Sequence, residues 1–557
     1  MGLLDGVRTQ LWSTSHLLRS GMIGAMRPDR YLGMGRVFRA FGAHATTGFA
    51  LSANRAPDRV GLIDERGSLT WQQIQDRADA LAVGLRGLGG GTPPTSVAIL
   101  ARNHRGFVDA LLAASRLGVP ALLLNTGFSA PQLADVLERE QSTLIVYDEE
   151  FTGLVAEARE RVPGLVEVLA WTDTPGDADR STTEGLIGTY AGRTPPPARP
   201  GRVVLLTSGT TGTPKGANRS GGGPAEMAAM LERIPWHSGQ TVVIAAPTFH
   251  AWGFGQLVIA ATMCCTVVLR RRFDPEATLA LADEHGADGI SVVPVMLERI
   301  VDLPDTVLDR YSLASVRFVT ASGSRMRADA VTGFMDRFGD VVYNSYNATE
   351  AGQISVAQPA DLRHAPDTAG RPVTGTTVRL VDDEGRDVPI GEVGRIVLQG
   401  ASEFDGYTTG DTKDSLDGFM VSGDVGRFDA DGRLYVVGRD DDMIVSGGEN
   451  VYPIEVERVI AAMPQVRDVV VIGVDDADFG QRLAAYVVPG ETGAGAAAEQ
   501  AAAELDAAIR SEVKAQLAGY KVPRDVVVLG ELPRNASGKV MARDLPAAPA
   551  AASGEGS

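Results

Sequence analysis

Ten consecutive residues hold the densest chemistry in the sequence: Thr207-Ser208-Gly209-Thr210-Thr211-Gly212-Thr213-Pro214-Lys215-Gly216. Glycines at 209, 212 and 216 permit backbone conformations that turn N–H groups toward an anion. The hydroxyls of Thr207, Ser208, Thr210 and Thr211 add donors, and Lys215 adds a positive charge. The segment follows the apolar run 203–206, so it reads as a strand running into a loop built to hold a polyphosphate. It is not a Walker A loop, because Pro214 takes the place of the second glycine and no Ser or Thr follows the lysine. A flexible surface linker is the bland alternative. Ten such residues straight after a buried strand argue against it.

The elements that must position this loop are legible in outline. Short apolar, β-branched runs at 97–100, 203–206, 242–245, 266–269, 290–293 and 316–319 alternate with helix-period stretches such as 107–117 and 275–285. That alternation predicts an α/β fold, a large N-terminal domain of parallel-rich sheets layered with helices. After about residue 366 turns and short strands take over, which predicts a small β-barrel-like subdomain to about 437. Pro453 starts a helix with Val456, Val459, Ile460 and Met463 on one face. These signals predict a small α+β C-terminal domain over 440–545. The stretch 490–508 reads as a flexible turn leading into a surface helix, and 546–557 as a disordered tail.

The loop resembles the phosphate loop of the adenylate-forming superfamily, which includes acyl- and aryl-CoA synthetases, nonribosomal adenylation domains and luciferases. Further segments resemble that family's motifs in its order: Tyr346-Asn347-Ala348-Thr349-Glu350, Ser422-Gly423-Asp424, Gly438-Arg439-Asp440-Asp441, Ser446-Gly447-Gly448-Glu449-Asn450 and Pro533 to Lys539. The resemblance spans roughly residues 50–545, with an AMP-binding domain over 50–439. It implies ATP, Mg²⁺ and CoA as cofactors. Glu350 would then ligate Mg²⁺, and Thr349 and Thr207 would donate hydroxyls to phosphate. Tyr346 would lie against adenine, with Ser322 and Gly323 on its other side. Asp424 would accept both ribose hydroxyls, and Arg439 would touch the ribose. Lys539 would bridge the acid carboxylate and the α-phosphate, Asp441 would be the hinge of a mobile C-terminal domain, and Gly447 and Gly448 would let a pantetheine arm pass.

Two positions depart from the family pattern. Asn347 stands where glycine is usual, a mild change if the backbone there is left-handed. Ser422 replaces a threonine and keeps the hydroxyl. The segment from Pro247 to Gly255, containing Phe249, His250, Trp252 and Phe254, resembles the acyl-pocket wall of fatty-acyl-CoA synthetases. Its aromatic and glycine residues suit an apolar chain or ring. His250 reads as a hydrogen-bonded wall residue before it reads as a general base. Trp252 divides evenly between tunnel gate and plain packing. No early aspartate matches the one that amino-acid adenylation domains use, so amino acids are not expected substrates. The expected reaction joins a fatty or other hydrophobic carboxylic acid to CoA through acyl-AMP. Transfer to an acyl-carrier protein or a separate enzyme, and a binding-only homologue, stay open.

Composition removes other classes. Of 557 residues, 52 are basic and 70 acidic, a net charge of −18, which argues against nucleic acid as a partner. Cys264 and Cys265 are adjacent, cannot make a disulfide framework, and read as small buried hydrophobes on a strand, consistent with a cytoplasmic protein. Their apolar run, 257–269, is too short for the roughly 20 residues that span a bilayer. Residues 1–42 carry six arginines against two aspartates, interleaved with apolar side chains. Within a 1–49 extension, this segment either packs across the first domain or makes weak contact with an anionic membrane surface. The composition leaves room for a homodimer.

Overall fold

The computed structural model describes residues 3–24, 26–173, 181–207, 215–219, 223–400, 404–407, 412–440, 442–446, 449–476, 480–490, 496–535 and 538–548. The chain forms two compact units: residues 1–377 with 400–413, and residues 378–399 with 414–557.

The first unit holds two sheets. In the nine-stranded sheet, Val342–Ala348, Phe318–Ala321, Gly289–Val292, Thr241–Ile244, Thr266–Leu269 and Val60–Asp64 run parallel as neighbours in that order. Antiparallel strands close both edges. The seven-stranded sheet places Val203–Thr207, Ala121–Leu123, Val97–Leu100, Leu144–Asp148 and Val166–Trp171 parallel, then adds the antiparallel strands Lys215–Arg219 and Phe404–Tyr407. Strands such as Val97–Leu100 and Gly289–Val292 are buried throughout, as expected for parallel strands covered on both faces. The α/β expectation is met.

Local sequence sets the helices that cover these sheets. Thr70 and Gln73 form a capping box at the start of Trp71–Leu88, which satisfies two otherwise orphaned N–H groups. Asp274 accepts from Ala277 N at 2.7 Å and caps Pro275–Glu284. Gly118 ends Arg105–Leu117 with φ +73°, a conformation glycine adopts without a Cβ clash. Asp64 on the nine-stranded sheet and Arg105 on the helix after Val97–Leu100 form a buried bidentate pair that ties the two sheets together.

The second unit contains the antiparallel strands Gly394–Gln399, Phe419–Phe428 and Leu434–Arg439, with the short Ser415–Leu416, and Thr377–Val381 pairs with Gly394–Gln399 at the edge of the same sheet. It also contains a five-stranded sheet built on Val466–Asp476 and Gly480–Pro489. On that sheet Val456, Val459 and Ile460 of Pro453–Ala461, with Met463 just beyond it, join Ile509 and Val513 of Ala496–Gln516 in one apolar cluster.

Two local expectations change. The run 257–269 is not one strand: Ala251–Thr262 is helical, and Cys264, at φ +55°, turns the chain into Thr266–Leu269. Both cysteines are free and buried, and burial pushes the Cys265 thiol up to about 12. Neither therefore offers a thiolate at neutral pH. The strand expected at 316–319 is Phe318–Ala321, because Val316 N still closes a turn on Leu313 O at 2.9 Å. The tail beyond residue 548 lies outside the described residues.

Candidate active site

The two strands that flank the expected phosphate loop are paired. Val203–Thr207 pairs antiparallel with Lys215–Arg219, and Thr207 stands opposite Lys215 as the last pair. The backbone thus brings both ends of the motif together, while Ser208, Gly209, Thr210, Thr211 and Gly212 lie outside the described residues.

The second motif sits at the carboxyl ends of the parallel strands, where open α/β sheets bind ligands. Ser322 and Gly323 follow Phe318–Ala321, and Gly323 has φ +109°. On the neighbouring strand Val342–Ala348, a register irregularity falls between Tyr346 and Asn347, the kind of device that re-aims side chains beside a site. Asn347 Nδ2 donates to Ser322 Oγ at 2.9 Å. Among the described residues, positive φ outside glycine occurs only at Gln141, Cys264, Leu313 and Asp417. Asn347 is therefore not left-handed. It is accommodated because its amide bonds the adjacent strand end.

Thr349 and Glu350 occupy the turn between Val342–Ala348 and Gly352–Ala357, closed by Ala351 N to Ala348 O at 3.2 Å. Glu350 is mostly buried, and Lys413 Nζ lies 4.0 Å from its Oε1. Lys413 carried no signal in the sequence, since it lies about sixty residues away in an unremarkable polar stretch. A hard oxygen donor such as Glu350 suits Mg²⁺, which takes few protein ligands when phosphates supply the rest. Among the described residues no group of three or more His, Cys, Asp or Glu could hold a metal, so an all-protein cage is not offered.

The acyl-wall segment is held from below. Asn103, 5% exposed, donates to Ala246 O at 2.9 Å and accepts from Thr248 N at 2.8 Å and Thr248 Oγ1 at 3.0 Å. His250 is the N-cap residue of Ala251–Thr262, its carbonyl accepting from Phe254 N at 2.9 Å. A Cβ on Gly253 would strike Pro247 O, so only glycine lets this helix approach so closely. Trp252 Nε1 donates to Val292 O at 2.8 Å, and the ring packs in the core with Val243, Val268 and Leu279. Trp252 is a packed wall, not a gate. One turn on, Gln256 Oε1 accepts from Ser291 Oγ at 3.1 Å and Thr320 Oγ1 at 3.3 Å, all three buried. Sequence reasoning missed Asn103 and this triad, because single polar residues in apolar runs announce no partner.

In the second unit Asp424 and Arg439 are cross-strand neighbours, with Arg439 Nη1 3.7 Å from Asp424 Oδ1. Ser422 Oγ accepts from Asp424 N at 3.0 Å and donates to Ile396 O at 2.8 Å, so the serine does the structural work of a threonine hydroxyl. Gly423 takes φ +83° between them. Lys539 is exposed on a tight loop: Asn535 N donates to Lys539 O at 2.9 Å, and Lys539 N to Asn535 Oδ1 at 3.0 Å. Arg534 anchors the loop to Asp468 at 2.7 Å. Asp441, Gly447 and Gly448 lie outside the described residues.

Two parallel-stranded sheets, an antiparallel subdomain and a small C-terminal sheet, with these motifs in this order, define an adenylate-forming enzyme. The chain belongs to the AMP-binding enzyme family, whose model matches residues 49–408, and the model of the family's C-terminal domain matches 455–539. A feruloyl-CoA synthase from an Amycolatopsis species is 32% identical over 500 residues, 88% of this chain and 96% of the relative. A fatty acid–[acyl-carrier-protein] ligase from Streptomyces coeruleorubidus is 28% identical over 513 residues, 90% and 95% of the two chains. Among solved structures, o-succinylbenzoate CoA synthetase from Bacillus subtilis, with its acyl-adenylate, superposes at TM-score 0.73 and 27% identity over 89% of this chain and 97% of that one.

Proposed function

We propose that this chain is an ATP-dependent acid–CoA ligase acting on a hydrophobic, ring-bearing carboxylic acid through its acyl-adenylate. The observation that carries it is the cluster at the parallel strand ends, where Ser322, Gly323, Tyr346, Thr349 and Glu350 lie at or just beyond the ends of strands in the same sheet that the segment from Pro247 to Gly255 also leaves. Two relatives named for ring-bearing acids, feruloyl and o-succinylbenzoyl, support the substrate class.

The residues divide the reaction between them. The acid carboxylate attacks the α-phosphate of ATP, and pyrophosphate leaves. Positioning and charge neutralisation dominate such a step. Thr207, Lys215 and Thr349 hold the phosphates, Ser322, Gly323 and Tyr346 the adenine, and Asp424 with Arg439 the ribose. Glu350 would hold Mg²⁺, which would supply neutralising charge on the phosphate oxygens. Lys539 stabilises the charge that builds between carboxylate and α-phosphate. His250 stays a wall residue at its helix start. By the resemblance, Asp441 would be the hinge, and Gly447 and Gly448 would let the thiol arm pass.

Acid-dependent exchange of labelled pyrophosphate into ATP tests the adenylation half. Feruloyl, indolyl and phenyl acids are expected to support it more strongly than long-chain fatty acids. Exchange with no acid in the panel rejects adenylation, and exchange with fatty acids alone rejects the ring-bearing class. The carrier-protein ligase among the relatives favours a second acceptor, decided by single turnovers with CoA against a holo carrier protein.

A further inference from the structure

The N-terminal segment packs on the first unit with one side only. Leu3–Arg19 buries Ser13 and Leu17, and Trp12 Nε1 reaches Glu232 Oε1 at 3.4 Å. Pro28–Phe41 buries no residue at all. It is fastened through Arg30 and Gly33: Arg30 Nη1 donates to Asn54 O at 2.7 Å, Asn54 Nδ2 donates to Arg30 O at 2.8 Å, and a Cβ on Gly33 would collide with Asn54.

The outward side of each helix is exposed and mixes apolar side chains with arginines. Tyr31, Gly35 and Phe38 share one stripe of the second helix, with Leu32 and Arg39 beside it and Arg36 beyond. Leu11 and Leu18, seven residues apart, share a stripe of the first. Leu32 is 69% exposed and Leu11 67%, and six of the ten exposed large apolar side chains among the described residues fall within 11–38. Asp29 is taken up by Arg27 at 3.0 Å and Arg30 at 3.8 Å. Arg8, Arg19, Arg36 and Arg39 have no ion pair among the described residues.

We propose that these exposed helix sides dock on an anionic lipid surface. They are positively charged on a chain of net charge −18, so the complementarity is local and opposite in sign to the rest of the molecule. Leucine, tyrosine and phenylalanine side chains enter the boundary between headgroups and acyl chains, while arginines at their margin reach the phosphates. An acidic protein surface would satisfy the arginines but leave Leu11, Leu32 and Phe38 without an apolar partner, and a second copy presenting the same surface would set arginine against arginine. The inference is independent of the acid chosen and of the acceptor.

Vesicle flotation with the full chain tests it. Binding is expected to vesicles of phosphatidylglycerol mixed with phosphatidylcholine, not to phosphatidylcholine alone, and to weaken in high salt. Each arginine near such a surface is worth roughly fivefold, so R36Q/R39Q should bind about thirtyfold more weakly. L32Q/F38Q should also weaken binding at least about tenfold, because the buried apolar area is lost. Helical circular dichroism and vesicle-free activity of both variants should match the parent, since every substituted side chain is exposed. R8Q/R19Q on the first helix gives a second reading of the arginine contribution. No flotation of the parent, or flotation unchanged in all three variants, overturns the proposal. So does light scattering that shows the variants losing a dimer, or cosedimentation that shows loss of a carrier-protein contact, while the parent ignores lipid.

Discussion

Asp424 and Arg439 face each other across adjacent antiparallel strands, with the guanidinium 3.7 Å from the carboxylate. Fifteen residues of chain separate two motifs that strand pairing makes neighbours. A pair this far apart, on an arginine whose side chain is 41% exposed, contributes less than about 1 kcal/mol to stability. In the proposed reading its use is to aim the carboxylate at the ribose. Asp424→Asn should leave thermal stability within about 1 kcal/mol while lowering kcat/KM for ATP roughly a hundredfold, through lost charge-assisted hydrogen bonds to the ribose. Calorimetry and initial rates on the same preparation check both halves. A large stability loss with unchanged ATP kinetics would make Asp424 structural.

Lys539→Ala should slow adenylation by about a hundred- to thousandfold, the loss expected for one preorganised contact to a developing charge. Its loop is held by backbone bonds and by Arg534–Asp468, so folding should not change. Supplied acyl-AMP and CoA should bypass the lesion. A variant that uses acyl-AMP no better than acid and ATP would contradict the assigned role.

Glu350 and Lys413 make an opposed pair of predictions. Glu350→Gln removes a hard oxygen charge and should raise the half-saturating Mg²⁺ concentration roughly tenfold. Lys413→Met removes a cation 4.0 Å from that carboxylate and should lower it. Titrations of adenylation rate against Mg²⁺ that move in the same direction for both variants would sink this reading.

Asn103→Ala should cost about 2–3 kcal/mol, because the buried carbonyl of Ala246 and N–H of Thr248 lose their partner. The acyl-wall segment starts at that clasp, so KM for the acid should rise well beyond KM for ATP. Equal changes in both would show a general loss of fold. Here the limits of the sequence are plain. The sheets were legible because apolar β-branched runs must be buried, and the motifs were legible because phosphate chemistry needs glycines and hydroxyls in a row. Asn103, Lys413 and the Gln256–Ser291–Thr320 triad were not, since each acquires its partner only when distant strands meet. Phe318–Ala321 was misplaced by two residues because Leu313, at φ +47°, holds Val316 in a turn against its own β propensity.

Acid should weaken the first unit through Asp64. Burial pushes its carboxyl up, but hydrogen bonds and charge from Arg105 outweigh burial and hold it below the ordinary range. A depressed folded-state value means stability that is present above the unfolded value and lost as pH falls through the folded one. Asp64→Asn should cost about 3 kcal/mol at neutral pH by leaving Arg105 buried without its charge partner, and should flatten the acid limb. Denaturant unfolding at pH 7 and across the acid range measures both; an unchanged acid limb would count against the pair.

The most direct test of the whole account is mass-spectrometric quantitation of products from the purified chain with ATP, Mg²⁺, CoA and a panel of ring-bearing and fatty acids. The account predicts acyl-CoA and AMP appearing in equal amounts, dependent on the acid and strongest for ring-bearing ones. AMP formation absent with every acid, or ADP formed in its place, would contradict it.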